Sequence, residues 1–166
     1  MKKFLVTAAF CLCCLFASQA QTWDFSKQKT NNFSTVTTVD GLTFTPASDK
    51  VISIETGKKK YQDNKETITF TQRLKLPGTG SLKKGNYICF TAPANSKITV
   101  YGISASSEET RDLAIVAGNT ELGILTSDGS AIVKTTVTNT TNESTVSIFS
   151  KSKGFNIYKI EISPAK

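Results

Sequence analysis

The chain contains no histidine. That absence removes Ser-His-Asp and Cys-His nucleophilic machinery, since both need an imidazole to move the proton. It also removes imidazole metal ligation. Four cysteines are present, but Cys11, Cys13 and Cys14 fall in the first twenty residues. Cys89 stands alone beyond them, so one thiol can form neither an internal disulfide nor a thiolate metal site. It sits in Tyr87-Ile88-Cys89-Phe90 and is read as a small buried hydrophobe. Arginine is scarce too: Arg73 and Arg111 are the two among 20 basic residues. Long apolar runs are missing. A bilayer span takes roughly 20 such residues, and the longest run, Phe4 to Ala17, is shorter.

That run is flanked in a telling way. Lys2 and Lys3 precede it, and Ser18-Gln19-Ala20 places small residues at the −3 and −1 positions of a cleavage site. Residues 1–20 are therefore read as a secretory signal peptide, with 21–166 as a single domain and the protein secreted, to the periplasm or beyond. The residues before the three early cysteines are Phe10, Leu12 and Cys13, whereas lipidation calls for a small one. The formal charge is +7 and falls by two when Lys2 and Lys3 leave. Lysines cluster at Lys58-Lys59-Lys60 and Lys83-Lys84. In an exported protein such clusters point to acidic glycans or anionic cell surfaces rather than nucleic acid. The plainer alternative is a charged, solvated turn.

What the chain has in abundance is alternation. Short runs of alternating apolar and polar residues are separated by Gly, Asn, Asp and Pro, and nowhere does a helical stripe appear. Strands are expected at Phe33–Val39, Leu42–Thr45, Val51–Ile54, Thr67–Leu76, Tyr87–Thr91 and Lys97–Ser104. Further ones follow at Leu113–Ala117, Leu122–Thr126, Ala131–Thr138, Thr145–Ser150 and Phe155–Ser163. Asp40-Gly41 marks a two-residue hairpin turn, Pro77 to Gly80 a sharp stop, and Gly57 to Lys65 a polar loop. In the last strand Tyr158, Ile160 and Ile162 are assigned to one face, Lys159 and Glu161 to the other. About ten strands of this kind build an all-β, two-sheet antiparallel β-sandwich.

Three segments carry a resemblance. They are Thr22-Trp23-Asp24-Phe25-Ser26; Arg73-Leu74-Lys75-Leu76 with Gly78-Thr79-Gly80-Ser81 and the strand ending at Phe90; and Ile98 to Tyr101 through Arg111-Asp112-Leu113 to Gly154–Ile160. In that order and spacing the chain resembles β-sandwich modules of secreted Bacteroidetes proteins found beside pectate-lyase-like enzymes. The resemblance implies a jelly roll like those of galactose-binding-like domains and carbohydrate-binding modules. Pro77 departs from the glycine that this pattern has in its loop. A glycan or cell-surface polysaccharide is the implied partner, with no membrane span and a monomeric state.

Sugars are held by aromatic faces and by planar polar groups that bond paired hydroxyls. The ligand-binding candidates are Tyr61 with Lys58, Lys59 and Lys60 in the polar loop, then Arg73, Tyr101 and Arg111. Each has a structural alternative. Tyr101 lies in an alternating strand, and Arg111 stands among Glu108, Glu109 and Asp112, where an ion pair is the simpler reading. The same alternative applies to Arg73, on a strand. Trp23 is assigned to core packing. Asp24, Asp63 and Glu66 do not form a spacing that marks a glycosidase pair. No cofactor is indicated; structural calcium is common in such sandwiches, but no Asp-rich loop of EF-hand type occurs here.

Three functions compete: a non-catalytic carbohydrate-binding module, with acidic polysaccharides as its favoured ligands; a structural or adhesive surface protein that meets protein partners; and, remotely, a small polysaccharide-active enzyme using carboxylates, Lys or Tyr. The first expectation concerns export. Protein recovered outside the cytoplasm should begin at Gln21, and an intact mass showing Met1 retained or an acylated cysteine would contradict the signal-peptide reading.

Overall fold

A computed structural model describes residues 20–164. The signal-peptide assignment, save for Ala20, lies outside the described residues. Thirteen strands form: β1 Gln21–Asp24, β2 Asn31–Phe33, β3 Thr37–Val39, β4 Leu42–Thr45, β5 Ile52–Gln62, β6 Thr67–Leu76 and β7 Tyr87–Thr91. They continue as β8 Lys97–Ser104, β9 Arg111–Ala117, β10 Thr120–Ser127, β11 Val133–Thr138, β12 Thr145–Ser150 and β13 Phe155–Ser163. The only helical turn among the described residues is a 3-10 turn at Phe25–Lys27, where Asp24 accepts a hydrogen bond from the Ser26 amide at 3.0 Å. No helix in the described part is long and apolar enough to cross a membrane.

The strands build two antiparallel sheets. One runs β11-β8-β13-β6-β5-β2, with β1 also paired to β13, and the other runs β10-β9-β12-β7-β4-β3. The fold is thus the expected two-sheet antiparallel sandwich. The alternation that predicted it is what fills its middle. Trp23, Phe44, Leu74, Ile88, Val146 and Ile160 are among the residues turned inward. Trp23 packs on Phe90 with ring centroids 5.1 Å apart, and Phe33 stacks on Phe44 at 3.9 Å. Each such side chain contributes roughly 1.5–3 kcal/mol by leaving water, and without disulfides this packing is the main source of stability. The Asp40-Gly41 turn joins β3 to β4 with φ of 49° and 77°, the left-handed pair that a type I′ hairpin requires.

Four readings of the sequence change: the strand expected at Phe33–Val39 is two, β2 in the first sheet and β3 in the second, and three others follow. First, the polar loop begins much later than expected. β5 runs on through Lys58, Lys59, Lys60 and Tyr61 to Gln62, paired with Thr67–Phe70 of β6. Lysines suppress the apolar signal on the exposed side of a strand whose partner supplies the hydrogen bonds. Second, the register of β13 slips between Ile157 and Lys159. The bulge puts Tyr158 outside, away from Ile160 and Ile162, because one extra residue reverses the side on which the following positions fall. Third, Cys89 is half-buried rather than a core residue. Ile88 and Phe90 take the inward positions of β7, which leaves Cys89 outside beside Thr43 of β4.

The bulge leaves Ile160 fully buried opposite Val100, while Lys159 faces outward and pairs with Glu161 at 2.6 Å. Ile160→Asp should unfold the protein, since a buried unpaired carboxylate costs several kcal/mol against a total of about 5–15 kcal/mol. Lys159→Asp should fold with a modest loss from the ion pair. Equal melting temperatures for the two variants would mean that the register of β13 is wrong.

Candidate functional site

The site arises from a hairpin that leaves its sheet. β6 pairs with β13 only at Leu74, Lys75 and Leu76. Further along, β1 occupies that side of β13, from Asp24↔Lys159 to Gln21↔Ile162. The 3-10 turn sits at the changeover, and the Thr71 amide donates to Ser26 Oγ at 3.0 Å. The outer half of the β5–β6 hairpin therefore has no edge to pair with. It crosses the outside of β13 and reaches β8 and β11. Beneath it lies a second apolar cluster: Tyr61, Phe70, Tyr101, Ile103, Ile132 and Tyr158. Tyr61 meets Tyr101 edge-on at 5.1 Å, and Phe70 meets Tyr158 at 5.2 Å.

A charged clasp closes the far end. The Lys134 ammonium, on β11, donates to Asp63 Oδ2 at 3.1 Å and Glu66 Oε1 at 2.9 Å. It also lies 5.1 Å from the Tyr61 ring centre and 5.5 Å from that of Tyr101. The Tyr61 hydroxyl donates to Asp63 at 2.6 Å and the Tyr101 hydroxyl to Glu66 at 3.0 Å. These donors favour the ionised carboxylates. The Tyr61 hydroxyl, backbone amides and Lys134 hold Asp63 well below the usual range; Lys134 and Tyr101 lower Glu66. The carboxylates in turn raise Lys134, with Glu66 the largest influence. Tyr101 is pushed up by burial and by its bond to Glu66.

This arrangement corrects two ligand candidates. Tyr61 is 6% exposed and Tyr101 3%, so neither ring offers a face for stacking. They hold the hairpin down instead. Arg111 is structural as well. Its guanidinium donates from Nε and Nη2 to Glu109 Oε2, at 3.2 and 2.7 Å, and from Nη1 to the Gly154 carbonyl at 2.7 Å. Lys153 closes on the same Glu109. Trp23 belongs to the core, as expected.

Arg73 and Lys59 meet a different fate. Both line an open depression of about 160 Å³ between the base of the hairpin and the outer face of β8 and β13. One wall is the segment Ser104 to Ser107, backed by Gly129. Gly129 has φ +84°, and a Cβ there would lie 1.7 Å from the Ser106 carbonyl oxygen, so only glycine lets these two loops meet. Arg73 donates from Nε and Nη2 to Glu55 Oε1, at 3.0 and 2.7 Å. It crosses the backbone at Gly57, where a Cβ would come within 2.6 Å of its Cδ. Glu55 is lowered from its usual value by Arg73 and Lys75 in opposition to its own partial burial, the largest single influence. Lys58 and Lys60 lie on the same stretch of β5, exposed. Among the described residues no carboxylate lies within ion-pair distance of Lys58, Lys59 or Lys60.

The floor of the depression contains Asn156 and Tyr158, 4% and 0% exposed. The Asn156 Oδ1 and the Tyr158 hydroxyl are both buried and neither has a well-formed hydrogen bond in the protein, although the Arg73 guanidinium stands near enough to act on the hydroxyl as a loose donor. Burial raises the Tyr158 pKa, and the neighbouring Arg73 cation works the other way. Neither residue is among the ligand-binding candidates of the sequence. The signal was there: counted from Phe155 rather than backward from Ile162, the alternation puts Asn156 and Tyr158 together on the outside of β13. For calcium the described residues offer no cluster of three acidic ligands. Asp63 and Glu66 converge, but on the Lys134 ammonium.

No protein-family model matches the chain, and no curated protein does. Solved structures do. The CBM22-1 xylan-binding domain of Paenibacillus barcinonensis Xyn10C is similar with a TM-score of 0.51 at 12% identity, over 88% of this chain and 94% of that one. The CBM22-1–GH10 modules of Clostridium thermocellum xylanase Xyn10B, complexed with xylohexaose, match at 0.48 and 12%, over 83% of this chain and 28% of that one. The carbohydrate-binding module CBM36, in complex with calcium and xylotriose, matches at 0.44 and 15%, over 86% and 99%. The first of these establishes a carbohydrate-binding-module-like sandwich fold.

The clasp has a definite pH signature. Depressed carboxylates contribute stability that is complete above their unfolded range, about pH 4, and is lost as pH falls through the lower folded values. The raised Lys134 contributes below the unfolded lysine range, about pH 10, and loses that contribution as pH rises through its folded value. Lys134→Met should lower the melting temperature at neutral pH and make it less steep on the acid side of about pH 4. Parallel acid limbs for the variant and the parent would show that the clasp carries no stability.

Proposed function

We propose that the protein is a secreted, non-catalytic glycan-binding module whose ligand seats in the depression beside Arg73 and Lys59. The observation that carries this reading is the pair of buried, unpartnered polar atoms on its floor. Native proteins leave few buried polar groups unbonded, because each costs about 1–3 kcal/mol. Two together in an open depression are accounted for by a ligand that supplies the missing bonds. The carbohydrate-binding-module-like fold supports the same reading, and xylan is what the domain of Xyn10C binds.

Chemistry in the depression favours binding over catalysis. Its lining contains no carboxylate and, like the whole chain, no histidine. Lys59 has no acid within ion-pair distance, and the one carboxylate beside Arg73, that of Glu55, is held in the ion pair with it. A general acid–base pair is therefore missing from the one place where a glycan would lie. Lys59 lines the depression, and the exposed Lys58 and Lys60 beside it on β5 add to the positive potential of that stretch. This favours acidic polysaccharides, drawn in by a field that screens over about 8 Å at physiological ionic strength.

The test is direct titration of the secreted protein with polygalacturonate, alginate and neutral xylan at low and high salt. Binding of an acidic polymer that weakens with salt, and loses that salt dependence when Lys58, Lys59 and Lys60 are replaced by Ser, is the expected result. Absence of binding to every polymer at low salt would overturn the glycan reading. Capture of a protein partner in its place would favour an adhesive role, and sustained chain cleavage would favour an enzyme.

A further inference from the structure

We infer that the floor of the depression recognises the hydroxyl edge of a single sugar ring, by way of Asn156 and Tyr158, and does not hold the carboxylate of an acidic sugar. The inference rests on the glycan reading and specifies which part of the glycan enters. Three observations carry it. The space, about 160 Å³, is close to that of an engineered cavity that admits one benzene ring, so it takes one ring and not a run of them. Its unpartnered atoms are an amide oxygen, which only accepts, and a phenol, which donates or accepts. A carboxylate cannot donate to Asn156 Oδ1, whereas neighbouring ring hydroxyls can donate to it and accept from Tyr158. Finally, the guanidinium beside them already commits two of its donors to Glu55, which leaves it poorly placed to grip a ligand carboxylate with the paired bonds that such groups favour. The unpaired cations Lys58, Lys59 and Lys60 belong to the strand above the floor, where carboxylates of the same polymer can stay solvated.

The unpartnered phenol also makes an uncommon demand on stability. Removing its oxygen deletes a buried polar atom that has no well-formed bond in the free protein. A residue kept against its own contribution to stability is the mark of a ligand contact.

The experiment uses the secreted protein, its Tyr158→Phe and Asn156→Ala variants, and two probes: polygalacturonate and the same polymer after reduction of its carboxyl groups. Tyr158→Phe should melt at the same temperature as the parent or higher, and should bind both polymers about 5- to 30-fold more weakly, the loss expected for one hydrogen bond to a buried group. Asn156→Ala should weaken both alike, and only the unreduced polymer should respond to salt. A lower melting temperature for Tyr158→Phe would show that the hydroxyl has a protein partner and would overturn the inference. So would loss of binding confined to the unreduced polymer, which would place a carboxylate on the floor. Binding of the parent with neither variant impaired would overturn the inference and leave the glycan reading standing. Failure of the parent to bind either polymer, or xylan, would sink both.

Discussion

The β5–β6 hairpin is longer than the sheet it belongs to. Three residues of β6 reach β13 before β1 takes the remaining edge, so the rest of the hairpin must either stand in water or find another surface. It finds one on the outside of β8, β13 and β11, and Lys134 fastens it there between two carboxylates and two aromatic rings. An exposed ion pair is worth little by itself, about 0–1 kcal/mol. This one is a network, each member of which has at least two partners, above a buried aromatic layer. The depression is a consequence of that crossing. Where the hairpin rises off the sheet, at Gly57 and Arg73, it leaves a gap that neither the sheet nor the hairpin fills.

One wall of that gap, and the loops at the ends of the sandwich, are held by side chains that do not line it. Arg111 ties Glu109 to the Gly154 carbonyl and so joins the loop after β8 to the start of β13. Asn86, fully buried, donates to the carbonyls of Pro77 and Gly78, so Pro77 sits in a loop fixed by an asparagine rather than by a glycine turn alone. Asn139 does the same between Ala92 and Glu143. Buried amides of this kind satisfy loop carbonyls that a sheet would otherwise have bonded, which lets loops pack against the sandwich ends without disulfides.

How much of this was legible in sequence follows from which interactions are local. Strand alternation is a period-two property of the chain, and β6, β7, β8, β12 and β13 have the boundaries it predicts. The Asp40-Gly41 turn is likewise local. The position of Tyr61 is not. Its neighbours in sequence are lysines and amides, and its burial comes from Tyr101 and Lys134, forty and more positions away. A polar strand looks like a loop when the apolar surface that it covers belongs to another part of the chain. The bulge in β13 is invisible for a related reason: alternation read from either end is self-consistent, and only pairing with β8 shows where one residue is skipped. Asn156 and Tyr158 were hidden behind that slip. Arg73 and Lys59 were found because charge is recognisable wherever it sits, whereas an unpartnered hydroxyl is recognised only by what fails to surround it.

On the proposed glycan reading, a division of labour in the site follows from the same geometry. Charge placed on a strand that curves above the sheet stays in water, where it acts at a distance and is screened by salt. Polar groups placed on the sheet itself are desolvated by the hairpin crossing over them, so they act only in contact and are insensitive to salt. One strand pair thus separates attraction from recognition. Arg73 lies at the boundary, and Glu55 decides which side it serves. With both of these bonds on one carboxylate oxygen, the guanidinium is a fixed wall of the floor more than a free cation.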